Sequence, residues 1–108
     1  MIQITVFKDK DCYTGFCMKG HAGFAQSGQD IVCSAVSVLA INTVNAIEQF
    51  TQDTYIIDAD EEAGGSLEFH FSEAPGHDSC LLMNVMVMGL ESIADSYSEF
   101  IQIDMEEV

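Results

Sequence analysis

The stretch GHAGFAQSGQDIVCSAVSVLAIN (residues 20–42) changes character at its midpoint. Its first half carries Gly20, Gly23 and Gly28 with no apolar period, the composition of a loop. From position 31 to 41 almost every residue is apolar or small, and helical composition continues to about Phe50. Asp30 stands at the boundary as a helix N-cap, able to accept backbone N–H groups that the first turn leaves open. A helix this apolar is buried on most sides. That calls for a sheet against one face and a second helix or subunit against another.

Outside this stretch the apolar period changes to two. Ile2, Ile4 and Val6 alternate with Gln3 and Thr5 as a half-buried strand. Residues 8–12 (KDKDC) form a polar turn, and residues 13–19 form a second strand paired back on the first. Further on, residues 54–59 make a short strand and DADEEAGG (58–65) an acidic turn. Leu67, Phe69 and Phe71 alternate with Glu68 and His70 in the returning strand, which Pro75 and Gly76 end. Residues 78–97 predict a second helix with a stripe of Leu82, Met86, Leu90, Ile93 and Tyr97, leaving Glu91 and Asp95 outside it. Gly89 costs that helix about 1 kcal/mol against alanine, which implies close packing on a neighbour. Ile101, Ile103 and Met105 alternate with Gln102, Asp104 and Glu106 as a last strand. The order ββαββαβ lacks the regular alternation of a doubly wound sheet. It predicts an α+β fold, a mixed β-sheet with two main helices packed on it, in one domain over residues 1–108.

The charge balance narrows the partners. Among 108 residues, 18 are acidic and three are lysine, giving a net charge of -15 with no arginine. Nucleic-acid binding needs cations against phosphates, so direct contact with DNA or RNA is excluded, and anionic membranes are disfavoured for the same reason. A basic protein or peptide is the partner that such a field attracts. No stretch is both long and unbroken enough to span a bilayer, and MIQITVFKDKD lacks the layout of a signal peptide, so a cytoplasmic protein is expected. There the four cysteines, Cys12, Cys17, Cys33 and Cys80, are expected as thiols.

With Asp30 as the cap, Cys33 is the third helical residue. The open N–H groups and the positive end of the helix dipole favour a thiolate there, and the same groups, that of Cys33 included, can hold an oxyanion. His21, at the far end of the loop, can fold back to act as base and then as acid for a leaving amine. Asp30 pulls both ways: its charge opposes a thiolate, while its cap fixes the turn, and it can instead orient His21. Other readings stand beside this one. Cysteine is among the most buried residue types, so Cys33 can simply be core. Cys12, Cys17, His21 and Cys33 supply the donors of a Cys₃His zinc site, although Cys12 and Cys17 lack the tight CxxC spacing and lie along a strand. The chain can also be a non-catalytic acidic binding module. DADEE lacks the glycine and flanking helices of a calcium loop. His70 and His77 have no evident partner in the sequence, and Cys80 reads as core.

GHAGFAQSGQDIVCSAVS (residues 20–37) resembles the signature of the ribosomal-processing cysteine protease family Prp, a GHAG-type loop followed by a DIVC-type helix start. LLMNVMVMGLESIADSYSEFIQI (residues 81–103) is similar to that family's closing helix and strand. The resemblance implies a cytoplasmic, homodimeric cysteine endopeptidase that needs no cofactor or metal. It implies as substrate the N-terminal extension of a basic large-subunit ribosomal protein. On the matching positions it makes His21 the catalytic histidine, Cys33 the nucleophile that forms an acyl-enzyme, and Gly20 the glycine at which the loop hinges. Asp30 and Ser37 match polar positions that support the site. Gln26 and Gln29 depart from the pattern, standing where an acidic residue and a lysine are common.

Overall fold

The alternating segments become strands whose apolar sides face one way. A computed structural model describes residues 1–20, 29–60 and 65–108, with residues 29 and 30 described by their backbone alone. In order the elements are β1 (Ile2–Asp9), β2 (Cys12–Lys19), α1 (Gln29–Phe50), β3 (Tyr55–Asp60), β4 (Ser66–Phe71), α2 (His77–Ser96) and β5 (Ile101–Glu107). The strands form one five-stranded sheet in the order β3-β4-β2-β1-β5. β1 is antiparallel to β2 and parallel to β5, and the β2–β4 and β4–β3 pairs are antiparallel. This is the expected α+β fold with a mixed sheet.

The register explains the core. Ile4 lies opposite Met18 and Val6 opposite Phe16, while Phe16 and Met18 meet Phe69 and Leu67 on the other side. All of these are buried. Over them pack Val32, Val36, Ala40, Val44 and Ile47 of α1 with Met83, Met86, Val87 and Leu90 of α2. Each such side chain contributes about 1.5–3 kcal/mol relative to exposure. Phe16 stacks on Phe69 at 5.3 Å between centroids, and Tyr55 and Phe71 each lie 5.0 Å from Phe69. Gln3, Thr5, Cys17, Lys19 and Glu68 line a groove on the other face of the sheet.

Several boundaries differ from the sequence reading. The β1–β2 turn is only Lys10 and Asp11, with Lys10 at φ 58°, and a register shift after Phe7 takes up an extra residue in β2. In α2 the buried stripe runs through Ser79, Met83, Met86, Val87 and Leu90. Leu82 and Ile93 are half-buried and Tyr97 is an exposed C-cap. The helix turns toward α1 because the two approach closely: a Cβ on Gly89 would come 2.7 Å from Leu39 Cδ2. Among the described residues nothing covers the outer side of α1, with Ile31 63% and Val38 67% exposed. The expectation that no segment suits a bilayer is also corrected. Ile31–Phe50 is long and apolar enough to cross one, with mean hydropathy 1.6. Its inner face instead packs in the core.

Strand and helix directions give the molecule two poles. The start of β2, the end of α1 and the start of α2 share one; the end of β2 and the start of α1 share the other. At the first pole Gly76 caps α2 without a side chain. Asp53 does the work instead, its Oδ2 accepting from Gly76 N at 3.0 Å and from buried Ser79 Oγ at 2.6 Å. Thr51 Oγ1 accepts from Asp53 N at 3.2 Å. The hydrogen bond from Ser79, and then that from Gly76, hold the Asp53 carboxyl below its ordinary value of 3.8. Beside this network Cys12 and Cys80 form a disulfide, with Cα atoms 5.3 Å apart. That corrects the expectation of four thiols. The partners are 68 residues apart in sequence, and only the meeting of the hairpin with α2 brings them together.

Ser79→Ala and Asp53→Asn should each cost up to about 1 kcal/mol, the carboxylate being solvent-screened. Thermal melts followed by circular dichroism would read this. Because the Asp53 pKa is lowered on folding, its contribution is full above the unfolded value and is lost as pH falls through the folded one. Asp53→Asn should therefore flatten the acid limb of the stability curve, and an unchanged limb would remove Asp53 from the account.

Candidate active site

The second pole is built around Gly20. There β2 ends and the chain turns with φ +83°, a left-handed conformation that favours glycine. A Cβ would also come 2.9 Å from Met1 O. Gly20 N donates to Gly65 O at 2.9 Å, tying the end of β2 to the residue before β4. On its other side Gly20 O accepts from Cys33 Sγ at 3.8 Å. The thiol therefore lies where the central strand ends and α1 begins, 8% exposed beside the core.

α1 starts earlier than the sequence suggested. Gln29 is its first residue, so Asp30 is the second helical residue rather than the cap, and Cys33 is the fifth rather than the third. A fifth residue gives its N–H to the carbonyl four back, so the N–H of Cys33 belongs to the helix ladder and is not open to an oxyanion. The groups that a helix leaves outside its own ladder are those at its very start. Helical side chains lean toward the N-terminus, which sets the sulfur alongside that first turn. A thiol so placed suits nucleophilic attack on a carbonyl with backbone donors nearby.

Of the five residues singled out in the sequence, Gly20 and Cys33 are brought together. Ser37 follows one turn along α1, half-buried beside Val38, Ile41 and Asn42. His21 lies outside the described residues, as does the side chain of Asp30. Sequence reading missed Gly65, whose carbonyl fixes Gly20 and which itself has φ +82°. The Gly-Gly pair that closes the acidic turn was the available signal.

The three cysteines of the proposed zinc set do not assemble. Cys12 is bonded to Cys80, and Cys17 lies in the groove on the sheet face away from the helices. Among the described residues no group of three or more His, Cys, Asp or Glu could hold a metal. Burial first, and then the Glu68 charge, push the Cys17 thiol above its ordinary value of 9.0, against a smaller opposing effect of Lys19. His70 does have partners: Glu68 Oε1 lies 3.2 Å from its Nε2, and its ring sits 5.2 Å from that of Phe7.

Comparison with known proteins agrees with this thiol-centred reading. A family described as cysteine protease Prp matches residues 1–102. The Bacillus subtilis (strain 168) protein named ribosomal processing cysteine protease Prp is 32% identical, over 95% of this chain and 96% of its own. The crystal structure of SMU.848 from Streptococcus mutans is similar at a TM-score of 0.93 and 32% identity, covering 100% of this chain and 96% of that one. A Staphylococcus aureus Prp solved with a substrate peptide gives 0.90 and 26%, covering 98% and 100%. The fold and the placement of the thiol define a cysteine hydrolase of the α+β class. The chain belongs to the cysteine protease Prp family.

Thiol reactivity should follow the two environments. With Cys17 raised, little of it is thiolate at neutral pH, so iodoacetamide should label Cys33 first and Cys17 only as pH climbs. Peptide mapping by mass spectrometry reads the order, and faster labelling of Cys17 would contradict it.

Proposed function

We propose that this chain is a cytoplasmic endopeptidase that removes the N-terminal extension of a basic large-subunit ribosomal protein. The observation that carries the reading is the Cys33 thiol at 3.8 Å from Gly20 O, beside the first turn of α1. Relatives named for ribosomal processing, and a Staphylococcus aureus Prp solved with a covalently linked product peptide, supply the substrate class. The net charge of -15 suits a basic partner and opposes direct contact with nucleic acid.

In this mechanism the Cys33 thiolate attacks the carbonyl that follows a bulky apolar residue of the extension. Backbone N–H groups at the start of α1 hold the oxyanion. His21, the next residue after Gly20 in the chain, protonates the leaving amine and then activates the water that releases the acyl-enzyme. Gly20 is the hinge on which the loop closes over the peptide. Asp30 and Ser37 support the site from the first two turns of α1. The chemistry draws on no cofactor.

We also propose that the protein is a homodimer, joined through the outer side of its helices. Ile31, Val38 and Ile41 of α1 and Leu81, Val85 and Met88 of α2 are exposed there, more apolar surface than an isolated helical layer commonly leaves open. Light scattering on a sizing column should give twice the chain mass of 11.8 kDa, and a monomer mass would reject the dimer.

The activity is tested with a peptide spanning the extension and its junction, read by mass spectrometry. Wild type should cut once, at the junction. Cys33→Ala should lose all measurable cleavage, and His21→Ala should lose about 10²–10⁴-fold. Equal cutting by wild type and Cys33→Ala would reject Cys33 as the nucleophile, and none by either would leave an acidic binding module as the reading.

A further inference from the structure

The chain holds its cysteines in three separate places. Cys33 lies at the Gly20 pole, whereas Cys12 and Cys80 are bonded at the other. β2 runs eight residues between Cys12 and Lys19, so the disulfide stands about 25 Å from the Gly20 end. Exchange between that bond and Cys33 within one folded chain is therefore excluded by distance. Cys17 lies in the groove on the outer face of the sheet.

Four contacts stiffen the two sides of the disulfide pole independently of sulfur. Asp53 ties Gly76 and Ser79, at the start of α2, to the end of α1. Cys80 N also donates to Gly76 O at 3.0 Å, placing Cys80 in the first turn of the same helix. On the hairpin side Lys8 Nζ sits 5.1 Å above the Tyr13 ring, next to Cys12. The two sides meet through the core, where Tyr13, next to Cys12, and Met83, in the turn after Cys80, are buried in one hydrophobic cluster. That packing does not depend on the bond, and it sets the Cα atoms of Cys12 and Cys80 at 5.3 Å, within the usual bonding range. Both residues are only half-buried, so a small thiolate can reach them.

We infer that Cys12 and Cys80 are a reversible redox modification site, closed and opened by exchange with a low-molecular-weight thiol and its disulfide. Its state sets the stability of the protein and leaves the chemistry at Cys33 unchanged. In closing, one protein thiolate attacks the disulfide RSSR, forms a mixed disulfide and expels RS⁻. The second thiolate attacks the protein-side sulfur and expels another RS⁻. The two protein thiols thus lose two electrons, RSSR gains them, and the two thiol protons leave as RSH. The closed bond spans 68 residues, including all of α1, β3 and β4, so it restricts the unfolded chain far more than the folded one.

The test equilibrates the full chain across a series of reduced to oxidised glutathione ratios, then alkylates it and measures intact mass and Tm. A Cys17→Ser background removes the other route to pairing. Mass should shift reversibly by two alkylation sites over the series. The reduced form should melt about 10 °C or more below the oxidised one. Cys12→Ser/Cys80→Ser should melt with the reduced form and ignore the ratio; if it does not fold, the two states of the native pair carry the comparison alone. Cleavage rate per alkylatable Cys33 at 25 °C should stay within about twofold between the two forms. A Tm indifferent to the ratio, no reversible mass shift, or a rate that falls with closure would each overturn the inference. Mass and Tm need no substrate, so they stand even where the protease assay fails.

Discussion

The chain leaves the central strand of its sheet through one residue, and the rest of the site depends on that exit. Gly20 adopts φ +83° against Met1, gives its N–H to Gly65 and turns its carbonyl to the Cys33 thiol. A side chain there would meet the backbone of Met1 and strain φ as well. The end of β2, the approach to β4 and the start of α1 are thus joined at a point that only glycine fits. Because β2 lies between β4 and β1, buried on its inner face by both helices, this junction inherits the rigidity of the core. A thiol beside it is held by the scaffold.

The two poles divide the labour. One carries the thiol and the open start of α1. The other closes the fold, with Asp53 capping α2 and a disulfide fastening the hairpin to the same helix. Stability is concentrated far from the place where chemistry needs a reactive sulfur. The acidity adds a third element, since a charge of -15 attracts a basic partner without any single residue being dedicated to it.

Much of this was legible in the residues. Alternation in Ile2, Ile4 and Val6, or in Leu67 and Phe69, fixes which side of each strand is buried, because strand period and pleat coincide. The apolar run after the glycines marked the helix that carries Cys33. What local pattern could not supply was long-range. The start of α1 shifted to Gln29, and with it the roles of Asp30 and of the Cys33 N–H, because residues such as Gln and Asp are compatible with both a cap and a first turn. The α2 stripe rotated toward Met83 and Val87 because Gly89 admits Leu39, a contact between helices 50 residues apart. The pairing of Cys12 with Cys80 depends on topology alone. The resemblance of residues 20–37 to the Prp signature supplied what periodicity could not, the expectation that His21 acts with Cys33.

The central claim is that Cys33 is the atom that attacks the substrate. An extension peptide carrying a chloromethyl ketone in place of the scissile bond alkylates the nucleophile of the site that binds it. Digestion and mass mapping of the inactivated protein should place one peptide adduct, on Cys33. An adduct on Cys17, or full inactivation with Cys33 unmodified, would contradict the account.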